Sequence, residues 1–410
     1  MKLNVKFWLK ISFLNLCVVA LLGVIMRYKI GFEFPYFNQK NLQHAHSHFA
    51  FSGWVSHTLM TLMVLYLQSK ISDLNTITYR KIIIANLICS FGMLFSFTVE
   101  GYGLTSIILS TFSIVVSYIF AYHFWRDLKR IDADFLAIDW FKTALFFNII
   151  SSFGTFYLAY MMASKNVVQD YYLSSVYYYL HFQYNGWFFF AAMGLLFGYL
   201  NLQKTEHPFY NTTHKLFALA CIPAYFLSTL WIKLPNWLYV ITVLAALTQV
   251  YSWFRFLLIV LKSQKNRFEN DPGFLRYILV FIAFALSVKL LLQLGSTIPA
   301  ISQLAFGFRP IVIAYLHLVF LAIISLFLVF YVLSNHLILM TKKIKIGILL
   351  FSIGVVLNEM ILAMQGIASF SYTIIPYANE ILFGIALLLF FGIGYTALQA
   401  IKKVKNIPPL

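Results

Sequence analysis

The sequence predicts an all-α polytopic membrane protein, on three observations. Of its 410 residues 61% are hydrophobic and 10% charged, with a mean hydropathy of +0.82, which excludes a water-soluble multidomain enzyme. Apolar runs near the ~20 residues that cross a bilayer recur along the chain, divided by short polar connections. The Lys and Arg behind the formal charge of +17 lie in those connections and form no compact basic patch. The charge therefore reads as topological, with the lipid bilayer as partner and no nucleic acid.

Hydropathy places twelve spans at about 7–26, 47–68, 82–99, 103–125, 140–163, 175–202, 214–232, 236–261, 274–294, 310–334, 345–364 and 377–400. They fill 1–410 as one transmembrane domain with no room for a soluble one. The first run follows a basic start, Met1 to Lys10, and has no small-residue cleavage signal before Arg27, so it reads as a span and not a signal peptide. Cys17, Cys89 and Cys221 each fall inside an apolar run without a C-x-x-C pair, so neither a disulfide framework nor a thiolate metal site is expected. Of the 30 Lys and Arg, 23 fall in the connections on the side of both termini and six on the other side, with Lys289 inside a span. Cytoplasmic loops retain these cations, which predicts an inner-membrane protein with both termini in the cytoplasm.

The second and sixth spans share a pattern. His48-Phe49-Ala50-Phe51-Ser52-Gly53-Trp54 matches His181-Phe182-Gln183-Tyr184-Asn185-Gly186-Trp187 as H-F-x-aromatic-polar-G-W. A weaker echo, His317-Leu318-Val319-Phe320-Leu321-Ala322, lies in the tenth span with Ala in place of Gly. A motif on every fourth span divides the chain into three four-helix units, about 1–135, 136–270 and 271–410. The three histidines precede the first cytoplasmic lysine of their spans by 22, 23 and 25 residues. At ~1.5 Å rise per residue they share one depth, towards the outer side.

An imidazole facing lipid is costly, so intramembrane histidines face the interior, where they bind a metal, relay protons or pair with a polar group. Gly53 and Gly186 offer either close approach for a flat ligand or close helix packing. Around His48, the series His44, His46, His48 puts His44 and His48 on one helical face and His46 on another; two-His pairs of this kind hold Zn, Cu or Fe, the alternative being unliganded interfacial histidines. His57 lies ~13 Å deeper on the opposite face, as a separate site or a core residue. His123, His207, His214 and His336 are expected to be solvated at the cytoplasmic edge. Lys289, the lone intramembrane cation, is expected to form a structural ion pair with Glu359.

The span count, the cytoplasmic termini, the units and the outer histidines together resemble subunit I of the haem-copper oxidase superfamily, including its nitric oxide reductase branch. His181 with Gly186 is similar to the sixth-helix pattern of the nitric oxide reductases, and Tyr315-Leu316-His317-Leu318 to their tenth-helix His-x-His. His46-Ser47-His48-Phe49 is similar to the second helix of related nitric-oxide-response membrane proteins. The resemblance implies haem b held between His48 (or His46) and His317, close to Gly53 and Tyr315. It implies copper or non-haem iron at His181 and an electron-donor partner from a respiratory chain; because the seventh span brings no histidine to complete a tight site, a metal there is expected to be shared with His46 or His44 at the mouth of the second span. The chain departs from the family at two positions: the seventh span lacks a His pair, and Tyr315 stands where a high-spin haem ligand belongs. A complete binuclear centre is thus not expected. The resemblance implies an oxidoreductase-type relative for electron transfer or O2/NO handling; the alternatives are a secondary transporter using Lys289, Glu359, His57 and Asn358, or a cofactor-free structural subunit.

The topology predicts that single cysteines placed at Lys165 and Lys265 react with impermeant reagents from opposite sides of the membrane. Labelling of both from one side would overturn it.

Overall fold

The structure is a computed structural model that describes residues 3–264 and 272–402. Among these residues it is all-helical, without a β-strand, and ten of its helices are long and apolar enough to cross a membrane. In chain order the helices are α1 (Val5–Gly31), α2 (Gln39–Lys70), α3 (Thr76–Glu100), α4 (Leu104–Leu128), α5 (Leu136–Ala163) and α6 (169–200). They continue with α7 (Pro208–Cys221), α8 (Asn236–Ser263), α9 (Gly273–Gly295), a short α10 (Pro299–Gly307), α11 (Arg309–Ser334), α12 (Lys342–Phe370) and α13 (Ala378–Lys402). The expected spans fall on helices except 214–232, where the α-helix ends at Cys221 and a 3-10 segment runs to Thr229. The ten qualifying helices leave out α6, diluted by Tyr, Gln and Asn, and α7, cut short before Pro223. Lys2, Lys265, Arg267, Lys403 and Lys405, all counted on the cytoplasmic side, lie outside the described residues.

The helix starts follow from local chemistry. Side chains of Asn4, Asn38 and Asn75 accept from backbone N–H groups in the first turns of α1, α2 and α3, as Thr341 does for α12. His207 accepts from Phe209 N ahead of α7, with Pro208 in the first helical position, where a missing N–H costs nothing. Two expectations for edge histidines change here. His207 is this cap, and His214 is hydrogen-bonded to Thr143 Oγ1 at 2.9 Å with its ring 5.1 Å from that of Trp140.

Three helices depart from α geometry at equivalent places. α2 is π-helical over Ala50–Ser56, α6 over Phe182–Phe188 and α11 over Leu318–Ser325. The π turn begins two residues after His48 and one residue after His181 and His317. A π turn displaces backbone carbonyls from their i→i+4 partners and is uncommon, so its recurrence makes the third, weakest copy of the repeat a structural one.

The helices group into two units, Met1–Phe124 with Leu328–Leu410, and Trp125–Phe327. In the first, α1 packs on α13 and α13 on α12, where a Cβ at Gly392 would lie 2.7 Å from Phe351 N, and α2 packs on α1 and α3. In the second, α5 packs on α6, α8 on α7 and α9, and α9 on the π turn of α11. There the π turns of α6 and α11 also meet, with the Tyr184 and Phe188 rings 6.0 Å from Phe320.

Gly186 is where α5 and α6 approach most tightly at the repeat: a Cβ there would lie 2.6 Å from Phe147 Cβ. We expect Gly186→Ala to destabilise the detergent-solubilised protein by about 1–3 kcal/mol through overpacking. Gly384→Ala, whose added Cβ meets nothing within 4 Å, should leave the unfolding midpoint unchanged or slightly raised.

Candidate functional site

Polar side chains in the second unit converge on the π turn of α6. His181, fully buried, directs Nε2 at the carbonyl of Cys221, 2.8 Å away, and Nδ1 at Asn185 Nδ2, 3.1 Å away. Asn185 Oδ1 receives the amine of Lys289 from α9 at 2.6 Å, and both residues are buried. The donor directions are fixed by chemistry. Lysine can only donate, so the Asn185 atom it meets is the oxygen, which turns the amide nitrogen to His181. Nδ1 then accepts and Nε2–H donates to the carbonyl. The imidazole is neutral, in one tautomer, with both nitrogens engaged.

The carbonyl of Cys221 is available because the helix ends there. Pro223 opens a 3-10 segment, Pro223–Thr229, in which Tyr225 N bonds Ile222 O at 3.2 Å and not the carbonyl four residues back. The Cys221 thiol in turn donates to Asn185 O at 3.7 Å. Next along the π turn, Gln183 Nε2 donates to Asn148 Oδ1 (3.1 Å) and Ser151 Oγ (2.8 Å) of α5. Four helices thus exchange hydrogen bonds through one distorted turn.

In the first unit the π turn of α2 is served by asparagines. Asn15 of α1 donates to Gly53 O at 2.6 Å, and Asn86 of α3 to Ser52 O at 3.0 Å. Ser52 Oγ donates to His48 O at 2.7 Å, drawing that carbonyl away from its helical partner. The His48 ring stacks on Phe97 at 4.2 Å, with Nε2 3.4 Å from the Tyr102 hydroxyl, and the His44 ring meets Tyr102 at 4.6 Å. His46 turns the other way, its Cε1 beside Gly23 of α1. His44 and His48 therefore share a face, as the spacing required. His57 is fully buried, its ring edge-on to Trp8 at 6.0 Å.

His317 donates from Nδ1 to Ile313 O at 2.8 Å, which fixes the ring against its own helix and sets the tautomer. Tyr315 has its ring 6.2 Å from Tyr184. Gly53 is closed by its own helix, since a Cβ there would fall 2.8 Å from the Phe49 ring. On that side of Gly53 the Phe49 ring is the nearest neighbour. Among the described residues no three His, Cys, Asp or Glu side chains gather as a metal site. Lys289, expected opposite Glu359, has its amine on Asn185, and Glu359 accepts from Asn358 in its own helix at 3.1 Å.

Sequence reasoning missed Asn185, Cys221 and Gln183 as partners. Asn185 is the polar position of the repeat, Lys289 the lone intramembrane cation, and Pro223 two residues past Cys221 announces a freed carbonyl; linking the three requires the fold.

Asn185→Leu strips a partner from both His181 and Lys289, and removing one partner of a buried charged group costs about 3–5 kcal/mol. We expect a loss of that order in the unfolding free energy, part of it recovered in Asn185→Leu with Lys289→Met, because the stranded amine is then gone. Additive single effects would show that the two side chains are not coupled. No protein-family model matches the chain, and no curated protein matches it.

Proposed function

We propose that the chain is an integral membrane protein of twelve spans, with 169–200 and 208–229 as the sixth and seventh. In this reading both termini are cytoplasmic and the three units 1–135, 136–270 and 271–410 each carry one histidine-bearing helix. Its function in this reading is to bind haem b through His48 and His317, in electron transfer or the handling of O2 or NO, with a respiratory-chain donor as partner. The observation that carries the proposal is the π turn that follows His48, His181 and His317 within two residues, since such turns cluster at functional sites.

The imidazoles at the two haem positions suit that role. At His317 the Nδ1–H bond to Ile313 O fixes the ring and its tautomer; at His48, Phe97 backs the ring and the Tyr102 hydroxyl lies 3.4 Å from Nε2. Bound haem would supply a one-electron couple. The metal position at His181 fits poorly, because copper or iron there would displace hydrogen bonds from both ring nitrogens. His181 is better described as a positioning residue that holds α6, α7 and α9 together through Asn185 and Cys221.

The test is optical. Protein made with ample haem supply and purified intact should carry a Soret band with the signature of two axial imidazoles. His317→Ala should abolish that low-spin spectrum at unchanged helix content. A wild-type protein without a Soret band would overturn the proposal in favour of the cofactor-free shell.

The chain from Lys289 through Asn185 to His181 favours a second reading, a transporter in which these groups pass protons. Reconstituted vesicles would then show proton flux that His181→Phe removes.

A further inference from the structure

Lys289 sits against a small cavity within the second unit. Asn185, Phe189, Phe190, Phe217, Gln249, Lys289 and Leu290 line it, and it has room for a single water molecule or monatomic ion. Three features of this cavity lie outside the reading just proposed. The amine spends one N–H on Asn185, leaving donors over. Gln249 of α8 is 5% exposed, and its Oε1 has no hydrogen-bond partner. Finally, α7, α8 and α9 contain no Asp or Glu, and the carboxylate of α6 is Asp170 in its first turn.

A buried ammonium without a carboxylate is costly, and it either gives up its proton or keeps it by taking on an opposite charge. With no carboxylate on α7, α8 or α9, the opposite charge that would hold the proton has to come from a diffusible ion. We propose that this cavity is a binding site for one small monovalent anion of about chloride size, held between the Lys289 ammonium and the Gln249 amide. The amide reaches this role by turning over, which exchanges its oxygen for an N–H donor. The surrounding Phe rings suit an anion where they present their edges, the positive part of an aromatic ring. The cavity's size excludes a carboxylic acid or a phosphate. The inference is independent of haem, because it needs neither His48 nor His317.

The experiment is the thermal unfolding of the purified full-length protein in detergent, in sodium chloride or bromide against sodium gluconate at matched ionic strength. The wild-type midpoint should rise saturably with chloride and bromide and stay flat in gluconate, whose anion is too large. Gln249→Leu should raise the half-saturating concentration roughly tenfold, the worth of one hydrogen bond to a charged group. Lys289→Met should abolish the response. If Lys289→Met does not fold, radioactive chloride binding to the wild type and Gln249→Leu decides, with the same tenfold difference expected. Equal midpoints in the two salts, or an undiminished response in either variant, would overturn the proposal. A response that appears only in Cys221→Ala would do so as well, by identifying the Cys221 thiolate as the native counter-charge.

Discussion

Lipid offers no hydrogen-bond partner, so a carbonyl released inside a membrane-spanning helix has to be met by the protein itself. The two π turns at Ala50–Ser56 and Phe182–Phe188 are where this constraint organises the structure. In α2, Asn15 and Asn86 reach in from neighbouring helices to Ser52 O and Gly53 O. In α6 the supply runs the other way: His181, just before the turn, reaches out to a carbonyl freed by Pro223, and Gln183 within it to the hydroxyl and amide of α5. Polar side chains that look dispersed along the sequence are therefore concentrated at two turns, and the helices that carry them are fixed in register by those bonds.

The same constraint explains the state of His181. A buried histidine is tolerable when both nitrogens are satisfied, and here Asn185, itself held by Lys289, donates to one while the Cys221 carbonyl accepts from the other. Because lysine cannot accept, the chain of bonds has one direction, and the proton on the imidazole follows from a residue 104 positions beyond Asn185. The lysine thereby gives the intramembrane imidazole a defined tautomer.

The sequence made the helices legible because hydropathy and the spacing of Lys and Arg are local properties. The repeat was legible for the same reason: seven residues repeated at His48 and His181 carry a backbone distortion that their identity suggested but did not name. The facing of His44 and His48 away from His46 also followed, being a matter of 3.6-residue periodicity. Partnership across helices was not legible. Lys289 read as an ion-pair donor because acids are the common partners of buried cations, and its amide partner is a residue of the repeat itself. Gly53 read as open to a flat ligand or to a neighbouring helix because glycine permits approach from any side, and nothing local says that Phe49, four residues earlier, turns its ring onto it.

The break at Pro223 has a further consequence, for the assembly of the chain in a bilayer. The helix before it, Pro208–Cys221, has 14 residues, or about 21 Å at 1.5 Å per residue, well short of the ~30 Å hydrocarbon core. Its predecessor is of full length but carries His181, Gln183 and Asn185 among the aromatics. Alone, each segment would partition weakly into lipid, one for want of length and the other for its polar load. Their shared bond from His181 to Cys221 removes a donor from one and an acceptor from the other. In the twelve-span reading, the free energy of inserting either segment therefore depends on the presence of the other, and they enter the membrane most favourably as a hairpin.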